Sequence, residues 1–278
     1  MLILVNGLMA YHAGKTTLVR AILHRAREAG DAFVAMKPRS AHNYWEHYDH
    51  TRTVQETGLL VSQDALLLRE LSHDPPELPL LNPYHQLVCP LDLLRLREEE
   101  AHMLGETEEG ILAERLTDGR GRSTLYLNRR AHLFVAPPEF LESLQENATE
   151  VVEFHASPVG EGLAPVDERT REVFEAVGGK RENLVLESYS DTIWPVRLEP
   201  EEVDLMISVG GSAVFLTDPH EVVKAQGVVG GRTMAGLLRY VKPVRSFRVP
   251  QLSSSEREDE RRLREAYGPV LEVLWKSG

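Results

Sequence analysis

Lys15 and Thr16 follow Gly14 at the point where an apolar run, Met1 to Val5, has ended and a helical pattern begins. An ammonium, a hydroxyl and successive backbone N–H groups at the mouth of a helix aim at one small volume. The ligand that uses all three is the phosphate chain of a nucleotide with its Mg²⁺. Leu18, Val19, Ile22, Leu23 and Ala26 recur at helical spacing behind the loop, and Gly30 stands where the helix should stop. The commonest form, Gly-x-x-x-x-Gly-Lys-Thr, would need glycine at position 9, where the chain has Met9; the upstream glycine is Gly7, which makes the loop longer. An ordinary turn and helix start would use the same residue types. The preceding strand and the following amphipathic helix favour phosphate binding, with Gly7, Tyr11, His12, Ala13, Gly14, Lys15, Thr16 and Thr17 lining the cradle.

Glu187 is the second residue with an evident task. It closes the apolar run Asn183 to Leu186, and a carboxylate at the tip of a buried strand beside such a loop can hold Mg²⁺ while the Thr16 hydroxyl supplies another oxygen. A third group is crowded with rings: His42, Tyr44, Trp45, His47, Tyr48 and His50. His47 and His50 are one helical turn apart, so a transition metal is one reading. A polar pocket wall beside Lys37, or a cover for the loop, is the other.

These residues need elements to carry them. Phe33 to Met36 reads as a strand ending at Lys37-Pro38, Gln63 to Leu71 as a helix entered at Asp64, and Pro75 to Tyr84 as a long extended connection. A helix is expected over Leu93 to Leu116, strands over Thr124 to Asn128 and His132 to Val135, and a helix over Asp167 to Val177. Leu205 to Val209 and Ala213 to Leu216 read as strands in the style of Asn183 to Leu186, and Val244 to Val249 as the last, before a charged C-terminal helix. Alternation of strand and helix predicts an α/β fold: an open, mostly parallel sheet with helices on both faces, plus an insertion around residues 95–180. Ligands of such sheets collect beyond the carboxyl ends of the strands, where Gly7 to Thr17, Lys37 to His50 and Glu187 to Trp194 would converge.

Composition narrows the partners. Lys plus Arg number 31 against 43 Asp plus Glu, a net charge of −12 that disfavours a nucleic-acid partner. Cys89 is the only cysteine, so an intrachain disulfide and cysteine metal clusters are excluded, which fits a reducing cytoplasm. No stretch approaches the roughly 20 apolar residues of a membrane span, and no basic region precedes the first apolar segment as in a signal peptide. Mixed charge clusters at Arg97 to Glu100 and Ser253 to Arg264 read as solvated helix faces.

Four stretches together resemble dethiobiotin synthetase and its relatives, a branch of the P-loop NTPases. They are the loop ending Gly14-Lys15-Thr16; Lys37-Pro38; Ser62 to Leu68 followed by Asn82-Pro83-Tyr84 and Pro90; and Glu187. The resemblance covers roughly the first 92 residues and the surroundings of Glu187, with no match over 100–180. It implies a P-loop NTPase-type fold, ATP (or GTP) and Mg²⁺ as cofactors, Lys15 at the β/γ-phosphates, and Thr16, Asp64 and Glu187 around the metal. Lys37 would meet the γ-phosphate and the acid being activated, and Val249-Pro250 resembles the turn beside the base. Two lysines and a divalent ion suit the charge that develops on a transferring phosphoryl group. Taken singly, Lys37 also reads as a surface lysine, Asp64 as a helix N-cap and Glu187 as a turn cap.

The chain departs from that family where a small acid would sit. Ser188-Tyr189-Ser190-Asp191 replaces small glycines, and Arg39, Ser40 and the aromatic–histidine cluster replace small residues after Lys37-Pro38. The pattern Gly-Leu-x-x-Tyr-x-x-Gly-Lys-Thr also resembles archaeal P-loop ATPases or GTPases. The expectation is an enzyme in which Mg²⁺ and a nucleotide activate or phosphorylate a small anionic acceptor, with Lys15 and Lys37 catalytic. The alternative is a nucleotide-hydrolysing switch or metallochaperone acting on a protein. Related branches often dimerise, so a homodimer is expected.

Overall fold

The computed structural model describes residues 1–98, 109–155, 165–231 and 233–276. Its strands are β1 (Leu2–Gly7), β2 (Phe33–Met36), β3 (Arg39–Asn43), β4 (Tyr84–Pro90), β5 (Glu109–Thr117), β6 (Ser123–Asn128), β7 (Glu150–Phe154), β8 (Asn183–Glu187), β9 (Leu205–Gly210), β10 (Ala213–Thr217) and β11 (Arg245–Arg248). Its helices are α1 (Lys15–Ala29), α2 (Tyr48–Thr57), α3 (Gln63–Leu71), α4 (Leu78–Leu81), α5 (Leu93–Glu98), α6 (Pro138–Glu146), α7 (Val166–Gly178), α8 (Pro219–Val229), α9 (Met234–Leu237), α10 (Ser254–Glu258) and α11 (Glu260–Lys276). The chain is α/β with mixed sheets and divides into two compact units. Unit 1 comprises Met1–Pro38, Asp64–Pro76 and Val177–Gly278; unit 2 comprises Arg39–Gln63 and Glu77–Ala176. Unit 2 therefore starts well before the insertion expected at 95–180.

Unit 1 holds a six-stranded sheet in the order β11-β10-β9-β1-β8-β2. The four strands from β9 to β2 are parallel, while β10 and β11 run antiparallel to their neighbours. β10 reverses because Gly210 and Gly211, the latter at φ 60°, let the chain turn straight back from β9 instead of crossing over as its apolar run suggested. Ile3, Val5, Val185 and Ile207 pack with Leu18, Val19 and Ile22 of α1 and Leu263, Val270 and Leu271 of α11. Successive strand residues point to opposite faces, and Leu4, Leu186 and Met206, in register with one another, are just as buried. Strands buried on both faces read as the continuous apolar runs seen in the sequence. Arg20 of α1 makes a two-pronged ion pair with Glu258 of α10, both contacts at 2.9 Å, which ties the C-terminal helices to the helix behind the glycine-lysine-threonine loop.

Unit 2 holds a five-stranded sheet in the order β3-β4-β5-β6-β7, parallel at its two outer pairs and antiparallel inside. Leu87, Cys89, Ala113 and Leu125 form its core with Val54 of α2 and Phe140 and Leu144 of α6. Several expectations are corrected here. Only Leu93–Glu98 of the helix expected over Leu93 to Leu116 is helical; 109–117 is β5, and 99–108, with the end of the Arg97 to Glu100 cluster, lie outside the described residues. Glu114 and Arg115, inside that expected helix, are strand residues buried in the sheet. The expected strand His132 to Val135 is a 3₁₀ turn at Ala131–Leu133, and the Pro-rich connection contains α4. The loop expected from Lys37 to His50 is β3 followed by the start of α2. Among the described residues no helix is long and apolar enough to cross a membrane.

Candidate functional site

The site lies in unit 1, at the carboxyl ends of its parallel strands. β1 ends at Gly7, where a Cβ would stand 3.0 Å from Lys15 Nζ and from the Ser190 carbonyl oxygen and 3.1 Å from Ala13 Cβ, so the lysine can cross the strand end only over glycine. The chain then turns through His12 (φ 54°) and Gly14 (φ 90°), both left-handed, and enters α1 at Lys15. Gly14 is the N-cap and offers no side chain, which leaves the first N–H groups of α1 without a side-chain cap. Tyr11 is 81 % exposed and His12 is exposed, whereas Ala13 and Lys15 are buried and Thr16 and Thr17 half-buried.

Lys15 Nζ donates to the Ser190 carbonyl at 2.6 Å. Burial lowers its pKa, partly offset by Glu187, and the neighbouring Lys37 lowers it further. Ser190 itself adopts φ 50°, a left-handed conformation that turns its carbonyl back over the strand ends. Thr16 Oγ1 donates to Glu187 Oε1 at 2.9 Å. Lys37, the residue after β2, donates from Nζ to the same Glu187 Oε1 at 2.6 Å and to Asp64 Oδ2 in the first turn of α3. Burial lowers the Lys37 pKa, but Glu187 and Asp64 outweigh it and hold it above the ordinary lysine value. Burial likewise opposes ionisation of Asp64, and the adjoining Lys37 outweighs it, so its pKa falls. Glu187 is fully buried and its pKa is raised by that burial despite Lys37.

Thr16, Lys37, Asp64 and Glu187 are thus joined in one hydrogen-bonded network, and Lys15, bonded to the Ser190 carbonyl, lies near enough to feel the charges of Glu187, Lys37 and Asp64. Lys37 is not a surface lysine, and Asp64, the second residue of its helix, turns its carboxylate to Lys37 instead of capping. Pro250 stands apart, exposed after β11, the edge strand three places from β1. Arg39 pairs with Asp167 within unit 2. Glu187 Oε2 is buried with no hydrogen-bond partner among the described residues.

Sequence reasoning missed the Ser190 carbonyl and a buried polar row on the other face of the sheet. Asn6 sits opposite Ser208 on β9 and beside Ser188, and all three are fully buried with side-chain atoms lacking partners among the described residues. The signal was present: an asparagine closing an apolar strand and serines at equivalent points of two others.

The histidines belong to unit 2. His42 Nδ1 shares a hydrogen bond with His85 Nε2 at 2.6 Å, and His85 Nδ1 shares another with Ser40 Oγ at 2.6 Å. His50 Nε2 bonds the Val61 carbonyl at 2.7 Å, and His47 Nδ1 accepts the Asn43 N–H at 3.2 Å. His42 Nε2 is buried with no hydrogen-bond partner among the described residues. Among the described residues no group of three or more His, Cys, Asp or Glu side chains is arranged to hold a metal, which corrects the metal reading of His42, His47 and His50. Cys89 is buried in β4, and burial pushes its thiol up to about 12, out of reach of redox chemistry at neutral pH. Comparison with known proteins finds no matching family model, no curated relative and no solved structure of similar fold.

Proposed function

We propose that unit 1 binds a nucleoside triphosphate in the manner of a P-loop NTPase and uses it to activate or phosphorylate a small, anionic acceptor. One observation carries the reading: Thr16, Lys37, Asp64 and Glu187 arrive from four separate chain segments and meet in one hydrogen-bonded network at the carboxyl ends of parallel strands, with Lys15 held beside it on the Ser190 carbonyl. The uncapped start of α1 supplies N–H donors for phosphate oxygens, and Lys15 exchanges the Ser190 carbonyl for the β/γ-phosphates. Exchanging a neutral carbonyl for anionic oxygens strengthens the bond to a buried ammonium.

The donor set suits Mg²⁺. That ion uses one or two carboxylates and completes its shell with phosphate and water oxygens, so Glu187 with its open Oε2, Asp64 and the Thr16 hydroxyl suffice without a third acidic group. Mg²⁺ supplies charge to the β- and γ-oxygens when bound. Lys37 stands where the acceptor meets the phosphoryl group, and its ammonium suits a carboxylic or carbamic acid there.

A thermal-shift screen tests the reading with Mg·ATP and Mg·GTP, then with small acids added. Saturation at about a hundred times Kd stabilises the wild type by ~2.7 kcal/mol, and Lys15→Ala loses the response. Lys37→Ala keeps nucleotide affinity within about threefold but forms no product with the acid that works for wild type. Equal turnover by Lys37→Ala refutes the assignment.

A further inference from the structure

We infer that the Lys37 ammonium and a divalent cation are rival occupants of the Asp64–Glu187 carboxylate pair, so that the cation's arrival moves Lys37 off the pair and presents its charge to the anionic ligand. The identity of that ligand rests on the nucleotide reading above; the rivalry itself does not.

The contacts around Glu187 are lopsided. Oε1 takes two donors, Lys37 Nζ at 2.6 Å and Thr16 Oγ1 at 2.9 Å, whereas Oε2, equally buried, takes none among the described residues. A buried carboxylate oxygen left bare is costly unless a ligand completes it. A cation that reaches Glu187 and Asp64 together stands within roughly 4 Å of Lys37 Nζ, which contacts both, and like charges at that range repel strongly in a buried site. Something has to give. Glu187 is fixed at the end of β8 between two neighbouring strands, and Asp64 within the first turn of α3. Lys37 rides on a flexible four-carbon stem immediately after β2 and is the group able to swing. Displaced from the carboxylates, the buried ammonium keeps its charge only beside other anionic oxygens, and those are the ligand's.

The test is Mn²⁺ binding to the full chain without nucleotide, read by electron paramagnetic resonance, in wild type, Lys37→Met and Lys37→Arg. Removing the charge in Lys37→Met should tighten Mn²⁺ binding at least about tenfold, while Lys37→Arg, which keeps it, stays within about threefold of wild type. Adding Glu187→Gln to Lys37→Met should erase the gain. Equal Mn²⁺ affinity in wild type and Lys37→Met, or a gain that survives Glu187→Gln, overturns the inference. Should Lys37→Met fail to fold, the wild type still decides: the lysine ¹⁵Nζ resonance that Lys37→Arg removes must shift as Mg²⁺ is added, and a resonance that stays put to saturation overturns it. Equal affinities refute the rivalry and leave nucleotide binding standing; a tenfold gain in a chain that binds no nucleotide refutes only the latter.

Discussion

The two units bury charge in different ways. In unit 2 the buried Arg115–Glu114 pair of neighbours is well partnered: Arg115 donates to the Leu60 and Asn82 carbonyls and to Thr117 Oγ1, and Glu114 accepts from Tyr84 Oη at 2.7 Å and Gln86 Nε2 at 2.8 Å. In unit 1 the cluster around Glu187 shares few partners among many groups. Two donors crowd one oxygen, the other is bare, and Lys15 sets its charge against a neutral carbonyl. Saturated buried groups specify a fold; buried groups short of partners are what a ligand completes.

The sharpest way to break this comparison is Glu187→Gln, which removes the charge and keeps the shape. Phosphoryl transfer or hydrolysis should fall at least about a hundredfold, while the urea midpoint reports a stability change of only ~1–2 kcal/mol. Undiminished turnover would make Glu187 as structural as Glu114. The complementary change in unit 2 is Arg115→Met, which takes the guanidinium from two buried carbonyls, Leu60 and Asn82. It should cost about 3–5 kcal/mol of stability in urea unfolding, and a cost below about 1 kcal/mol would mean that saturation there is incidental.

The smallest expected effect is a dependence on pH. Burial, reinforced by His50 and His47, lowers the His42 pKa from 6.5 to about 3, so between those values the unfolded chain binds a proton that the folded chain refuses. Stability is complete above pH 6.5 and is lost as pH falls, by about 2 kcal/mol at pH 5. Unfolding free energies of wild type and His42→Asn from urea titrations between pH 7.5 and 5 should diverge by that amount, and parallel curves would contradict it.

Legibility in the sequence followed the range of the interactions. Gly14-Lys15-Thr16, the strands Phe33 to Met36 and Asn183 to Leu186, and the helix capped by Gly30 are local patterns, and they stand where periodicity and capping put them. Glu187 and Lys37 were legible because each follows an apolar strand whose carboxyl end has a stereotyped place in a parallel sheet. Glu114, Arg115, His42 and His85 were misread or passed over because their partners come from strands and loops far along the chain: Leu60 and Asn82 for Arg115, Ser40 for His85. A charged residue with no local partner looks like a surface residue until the sheet closes around it.

The most direct measurement is a crystal structure with Mg²⁺ and a non-hydrolysable triphosphate analogue. The account predicts that Lys15 Nζ leaves the Ser190 carbonyl for the β/γ-phosphates, with the phosphates against the first N–H groups of α1. An analogue bound elsewhere, with Lys15 still on Ser190, would contradict it.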